Sequence, residues 1–117
     1  MYSKRVLDHF YNPRNVGEIE KPTAVVEVSN LACGDVMRLC VVVRDGRIAE
    51  ARFKVQGCVP AVACGSWLTE WIAEKTAAQL RQLTMEQIET NLDGLPPASR
   101  HAALLTTEVV QVLLQKI

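Results

Sequence analysis

The chain has 117 residues, with 13 Lys plus Arg against 13 Asp plus Glu, and is 49% hydrophobic and 22% charged. That length predicts one domain over residues 1–117, and that composition a packed globule, not a disordered chain. Zero net charge argues against a nucleic-acid binder, which usually shows a basic stripe; no run of like charge suggests a tail for an anionic membrane, and no run approaches the roughly 20 apolar residues of a bilayer span.

Ser3 is placed to cap a short amphipathic helix through about Phe10, with Val6, Leu7 and Phe10 on one face. Asn12-Pro13 and Asn15-Val16-Gly17 break it. Ala24 to Val28 is apolar and β-branched and predicts a strand. Val36 to Val43 and Ile48 to Val55 predict two more, joined at Asp45-Gly46, a strong hairpin signal. In the first of this pair Met37, Leu39, Val41 and Val43 share one face, and Arg38, Cys40, Val42 and Arg44 the wetter one. In the second, Ala51, Phe53 and Val55 share a face opposite the charges.

After Gly57-Cys58 the period changes from 2 to 3.6. Pro60 suits a first helical turn, and Ala61, Cys64, Leu68, Trp71 and Ile72 form a stripe that predicts a helix to about Lys75. Thr76 and Thr84 are N-cap signals for two shorter helices, the second stopped by Asp93-Gly94. Pro96-Pro97 opens a last helix that turns Leu105, Val109, Val112 and Leu113 inward. Strands first and helices afterwards predict an α+β fold, a three-stranded antiparallel sheet with helices packed on one face.

The start, Met1-Tyr2-Ser3-Lys4-Arg5, is not an apolar leader, so the four cysteines at 33, 40, 58 and 64 are expected as thiols in a reducing, cytoplasmic setting. Three places join ligand-type side chains to special backbone. In Cys33-Gly34-Asp35, residues two apart project to one side of an extended loop, so Cys33 and Asp35 can converge. Cys58 sits at a strand-to-helix junction, where the dipole is expected to lower the pKa of its thiol. His101 stands in the first turn of the last helix and offers an imidazole nitrogen. Cys64, six residues after Cys58, is about 240° round the helix and is expected in the core. Cys40, facing away from the main core, is expected to be incidental.

At these residues the sequence resembles the iron–sulfur cluster assembly scaffolds, the family called IscU or the N-terminal domain of NifU. The resemblance rests on Asn12-Pro13-Arg14-Asn15-Val16-Gly17; Ala32-Cys33-Gly34-Asp35-Val36-Met37-Arg38-Leu39; Ala51 to Cys58; Thr69-Glu70-Trp71; and Leu95-Pro96-Pro97 followed by His101, in order along nearly the whole chain. It implies a single scaffold domain over 1–117 that assembles a transient [2Fe-2S] cluster, or holds iron, with zinc able to use the same site. It implies a cysteine desulfurase as sulfur donor and iron–sulfur acceptor proteins as recipients, and no enzyme activity. Residue by residue, Cys33 and Cys58 match two cluster cysteines, Asp35 the aspartate that favours cluster release, and His101 the histidine before the third cysteine. That third cysteine is replaced by Ala102. The segment that a chaperone reads as Leu-Pro-Pro-Val-Lys stands here as Leu95-Pro96-Pro97-Ala98-Ser99, a departure that weighs against chaperone-driven transfer.

The ligand set that remains, Cys33, Asp35, Cys58 and His101, suits a tetrahedral zinc or iron site, or mixed Cys/His ligation of a cluster. In a homodimer, Cys33 and Cys58 of each chain would supply four thiolates to one bridged cluster. The alternative is a degenerate scaffold paralogue, an adapter that docks on a desulfurase without a stable cluster. An enzyme with Cys58 as nucleophile and His101 as base is the weakest expectation, because no third polar residue is marked to orient His101.

Overall fold

The computed structural model describes residues 1–30 and 34–117. In chain order it has α1 (Lys4–Tyr11), β1 (Ala24–Asn30), β2 (Asp35–Arg44), β3 (Arg47–Gln56), α2 (Val59–Trp71), α3 (Ala77–Leu80), α4 (Met85–Asn91) and, after a 3-10 turn at Pro97–Ser99, α5 (Arg100–Lys116). The strands form one antiparallel sheet in the order β1-β2-β3. The fold is the α+β arrangement expected from the order of periodicities.

Period-2 patterning decides which sheet face is covered. Val26, Met37, Leu39, Val41, Ala51 and Phe53 point into one apolar cluster with Ala61, Cys64 and Leu68 of α2 and Leu105, Val109 and Leu113 of α5. Asp45 and Gly46 both have positive φ, at 54° and 74°, the type I′ geometry that matches strand twist. A register shift between Val42 and Val43 places Glu50 opposite Val42 but Ile48 opposite Val43. The extra residue, Ala49, is a bulge, and it turns Ile48 onto the same buried face as Ala51 and Phe53.

Ser3 caps α1 as expected, its Oγ accepting the Val6 N–H at 3.1 Å. Thr76 and Thr84 each head a capping box with Gln79 and Gln87. The Asn12 to Gly17 stretch is not merely a break. The Phe53 N–H donates to the Asn15 carbonyl at 2.9 Å and the Gly17 N–H to the Phe53 carbonyl at 3.0 Å, so this stretch lies along the edge of β3.

Three expectations need correction. Helix α2 ends at Trp71, not near Lys75. The Glu74 N–H donates to the Ile48 carbonyl and the Ile48 N–H to the Lys75 carbonyl, so the chain leaves the helix to satisfy β3. Pro96-Pro97 opens a 3-10 turn, and α5 proper begins at Arg100. Cys40 is on the outer sheet face but is buried, with 2% exposed. It lies on the central strand between cross-strand neighbours Val25 and Arg52, so a small side chain is covered from both sides.

Candidate metal centre

The elements that open and close the sheet meet at one end of it. Asp35 begins β2, Cys58 follows the last residues of β3, and His101 is the second residue of α5. Cys58 is also the N-cap of α2, in extended conformation, with Pro60 inside the first turn. Core packing of Ala61, Cys64 and Leu68 against the sheet holds the start of α2 over the start of β2.

Three ligand atoms converge there. Asp35 Oδ2 is 3.2 Å from Cys58 Sγ and 3.3 Å from His101 Nε2, and Sγ and Nε2 are 3.6 Å apart. Among the described residues these three form the one group of His, Cys, Asp or Glu whose ligand atoms all lie within 4.8 Å of one another. Asp35 is buried, while Cys58 and His101 are half-buried, so the centre opens to solvent on their side. The other His101 nitrogen, Nδ1, is 3.0 Å from the Ala98 carbonyl oxygen. A carbonyl can only accept, so Nδ1 carries a hydrogen, and Nε2 is the ring nitrogen turned towards the thiol and the carboxylate. Sulfur, imidazole nitrogen and carboxylate oxygen facing one another are a donor set for zinc or iron.

The expected low pKa of Cys58 is overturned. Burial pushes its thiol up to about 11, helped by the adjacent Asp35 carboxylate and only partly opposed by the N–H groups of Ala61 and Cys58 at the helix start. The dipole is present, but desolvation of a thiolate outweighs it. A metal bound here therefore has to displace the thiol proton.

Asp35, Cys58 and His101 are thus brought together, as the sequence spacing alone could not guarantee. Cys33 lies outside the described residues. Cys64 is wholly buried in the core, as expected, its thiol pushed up to about 12 by burial. The Ala98 carbonyl was missed, because a backbone acceptor leaves no mark in residue type. So was His9, which is 8% exposed on the inner side of α1. Its Nδ1 meets Ser66 Oγ at 2.7 Å, and that hydroxyl also accepts the Arg14 N–H at 2.9 Å. These bonds tie the Asn12 to Gly17 stretch to α2.

The family model for the NifU-like N-terminal domain matches residues 1–116. The chain belongs to that family. This NifU-like chain is 39% identical over 111 residues to the iron–sulfur cluster assembly scaffold protein IscU 1 of Archaeoglobus fulgidus, spanning 95% of the chain and 72% of the relative. It is 40% identical over 114 residues to IscU of Rickettsia prowazekii, spanning 94% and 86%. Against the nitrogen fixation protein NifU of Cereibacter sphaeroides it is 41% identical over 110 residues, spanning 94% of the chain but 45% of the relative. The fold matches the crystal structure of a SUF-system scaffold protein from Fervidobacterium islandicum AW-1 with a TM-score of 0.80, at 21% identity and with 97% and 96% of the two chains covered. No helix among the described residues is long and apolar enough to cross a membrane.

Proposed function

We propose that this chain is an iron–sulfur cluster assembly scaffold, acting as one domain over residues 1–117. It builds a transient [2Fe-2S] cluster, or holds iron, on Cys33, Asp35, Cys58 and His101, and zinc can take the same ligands. The observation that carries this reading is the convergence of Asp35, Cys58 and His101 within 4.8 Å at the open end of the sheet. The names of the IscU relatives support the same cargo. The cluster is cargo: a cysteine desulfurase supplies its sulfur, and acceptor proteins of the same reducing compartment, the cytoplasm, receive it. Ala102 stands where the family resemblance puts a third cysteine and is wholly buried in the core, so it offers no ligand atom. Each chain then contributes two thiolates, a carboxylate and an imidazole, and two chains sharing Cys33 and Cys58 can hold one bridged cluster. Ala98-Ser99 in place of the chaperone-read residues points to transfer that does not depend on a chaperone.

Anaerobic reconstitution with ferrous iron and sulfide tests this, read by visible absorption, metal analysis and native mass. The expected result is a coloured species that Cys58→Ser abolishes. A strictly monomeric coloured species rules out the shared cluster. Uptake of neither iron–sulfide nor zinc overturns the scaffold reading; retained desulfurase binding then leaves the adapter.

A further inference from the structure

Two glycines flank the centre, and they are glycine for different reasons. Gly34 has φ +75°, a backbone that L side chains rarely adopt, with open space where a Cβ would be. Gly57 is the reverse case. Its φ lies outside the left-handed region, so its backbone accepts any residue. What excludes a side chain is Asp35. A Cβ on Gly57 would lie 2.3 Å from Asp35 Oδ1, 2.7 Å from its Cγ and 3.0 Å from its Cβ. Optimal contact between non-bonded heavy atoms is about 3.5–4.0 Å.

We propose that Gly57 is the positioning residue of this centre: the space left by its missing side chain is the seat of the Asp35 carboxylate. From that seat Oδ1 reaches the Cys58 N–H at 3.2 Å, while Oδ2 reaches Cys58 Sγ at 3.2 Å and His101 Nε2 at 3.3 Å. All three distances depend on the carboxylate lying against the 57–58 backbone. A methyl group at 57 occupies the same volume. Gly57 is exposed, and the colliding atoms are mostly the far end of one side chain, so the carboxylate yields and the fold does not. Gly57→Ala therefore takes Asp35 out of the centre without removing its charge from the protein.

The metal consequence rests on the function proposed above, whereas the contact between Gly57 and Asp35 does not. The test uses wild type, Gly57→Ala, Asp35→Ala, the double variant and, as the metal control, Cys58→Ser. In the metal-free proteins the amide N–H resonance of Cys58 reports its bond to Asp35. It is expected to move in Gly57→Ala to the position it takes in Asp35→Ala, with no further change in the double variant, where the 3.0 Å Cβ contact alone remains. In cobalt(II) titrations Gly57→Ala is expected to weaken binding at least about tenfold and to give the d–d spectrum of Asp35→Ala, with the sulfur charge-transfer band retained. In the Asp35→Ala background the same substitution is expected to change affinity by less than about twofold, because no carboxylate is left to displace.

A Cys58 amide unmoved by Gly57→Ala overturns the proposal. So does equal weakening of cobalt binding by Gly57→Ala in both backgrounds, which marks a general structural effect. If wild type and Cys58→Ser bind cobalt alike, the metal reading of the site fails instead, and the amide resonance alone decides the role of Gly57.

Discussion

Asp35 grips Cys58 twice, accepting its backbone N–H through Oδ1 and its thiol through Oδ2, both at 3.2 Å. The cysteine side chain makes no capping bond of its own, so a carboxylate 23 residues upstream serves the start of α2. One side chain therefore both bonds the helix start and faces Cys58 Sγ and His101 Nε2 of the candidate centre. Asp35→Ala is expected to cost about 1.5–3 kcal/mol in urea unfolding, the scale of a hydrogen bond to a charged group. It is also expected to slow cluster release, seen as a longer-lived coloured form after reconstitution. A coloured form that decays faster than wild type contradicts the release role assigned to Asp35.

Metal analysis separates the proposed ligand cysteines from the others. Cys58→Ser and Cys33→Ser are each expected to remove most of the bound zinc or iron. Cys40→Ser is expected to leave metal content unchanged, because Cys40 is buried on the outer face of β2 and outside the group of ligand atoms. Equal losses from Cys40→Ser would move the site elsewhere.

Metal uptake is expected to rise with pH. The Cys58 thiol is pushed up to about 11, so at pH 6–9 it is protonated and each bound metal must release its proton. Apparent zinc affinity then increases up to about tenfold per pH unit for each thiol displaced. A competition titration at pH 6.5 and 8.5 measures it, and a flat profile shows that the thiol is not a ligand.

His9 predicts acid sensitivity of the fold. Burial holds its imidazolium form down, with Arg14 adding to the effect and Glu70 and Asp8 opposing it. The folded state then binds fewer protons than the unfolded chain, whose His titrates near 6.5. Stability is full above that pH and is lost as pH falls below it, by up to about 1.4 kcal/mol per unit. Urea unfolding at pH 7.5 and 5.5 should show the loss, and His9→Gln should reduce it.

Gly65 sets how closely α2 lies on β3. A Cβ there would be 2.6 Å from the Phe53 ring, with both partners in packed surroundings. Gly65→Ala is expected to destabilise by about 1–3 kcal/mol, as overpacked cores do. A thermal melt reads it, and an unchanged midpoint would show that the ring can move aside.

Much of this was legible in the sequence because local chemistry decides it. The Ser3, Thr76 and Thr84 caps, the Asp45-Gly46 turn and the alternation of Met37, Leu39 and Val41 each act within a few residues. The end of α2 is not set within its own stretch, because Glu74 and Lys75 bond to Ile48, a partner on another element. The bulge at Ala49 leaves no local mark for the same reason, since it exists only relative to β2.

By itself the amino-acid order determined the strands-then-helices plan and the family motifs, and singled out Cys33, Asp35, Cys58 and His101 as ligand-type residues, because periodicity, caps and motif spacing are properties of neighbouring positions. Only the folded molecule decided that Asp35, Cys58 and His101 meet, that burial outweighs the helix dipole at the Cys58 thiol, that the Ala98 carbonyl lies against His101, and that the bare face of Gly57 lies against Asp35. Desolvation, backbone acceptors and empty volume arise when distant segments pack, and no single stretch of chain encodes them.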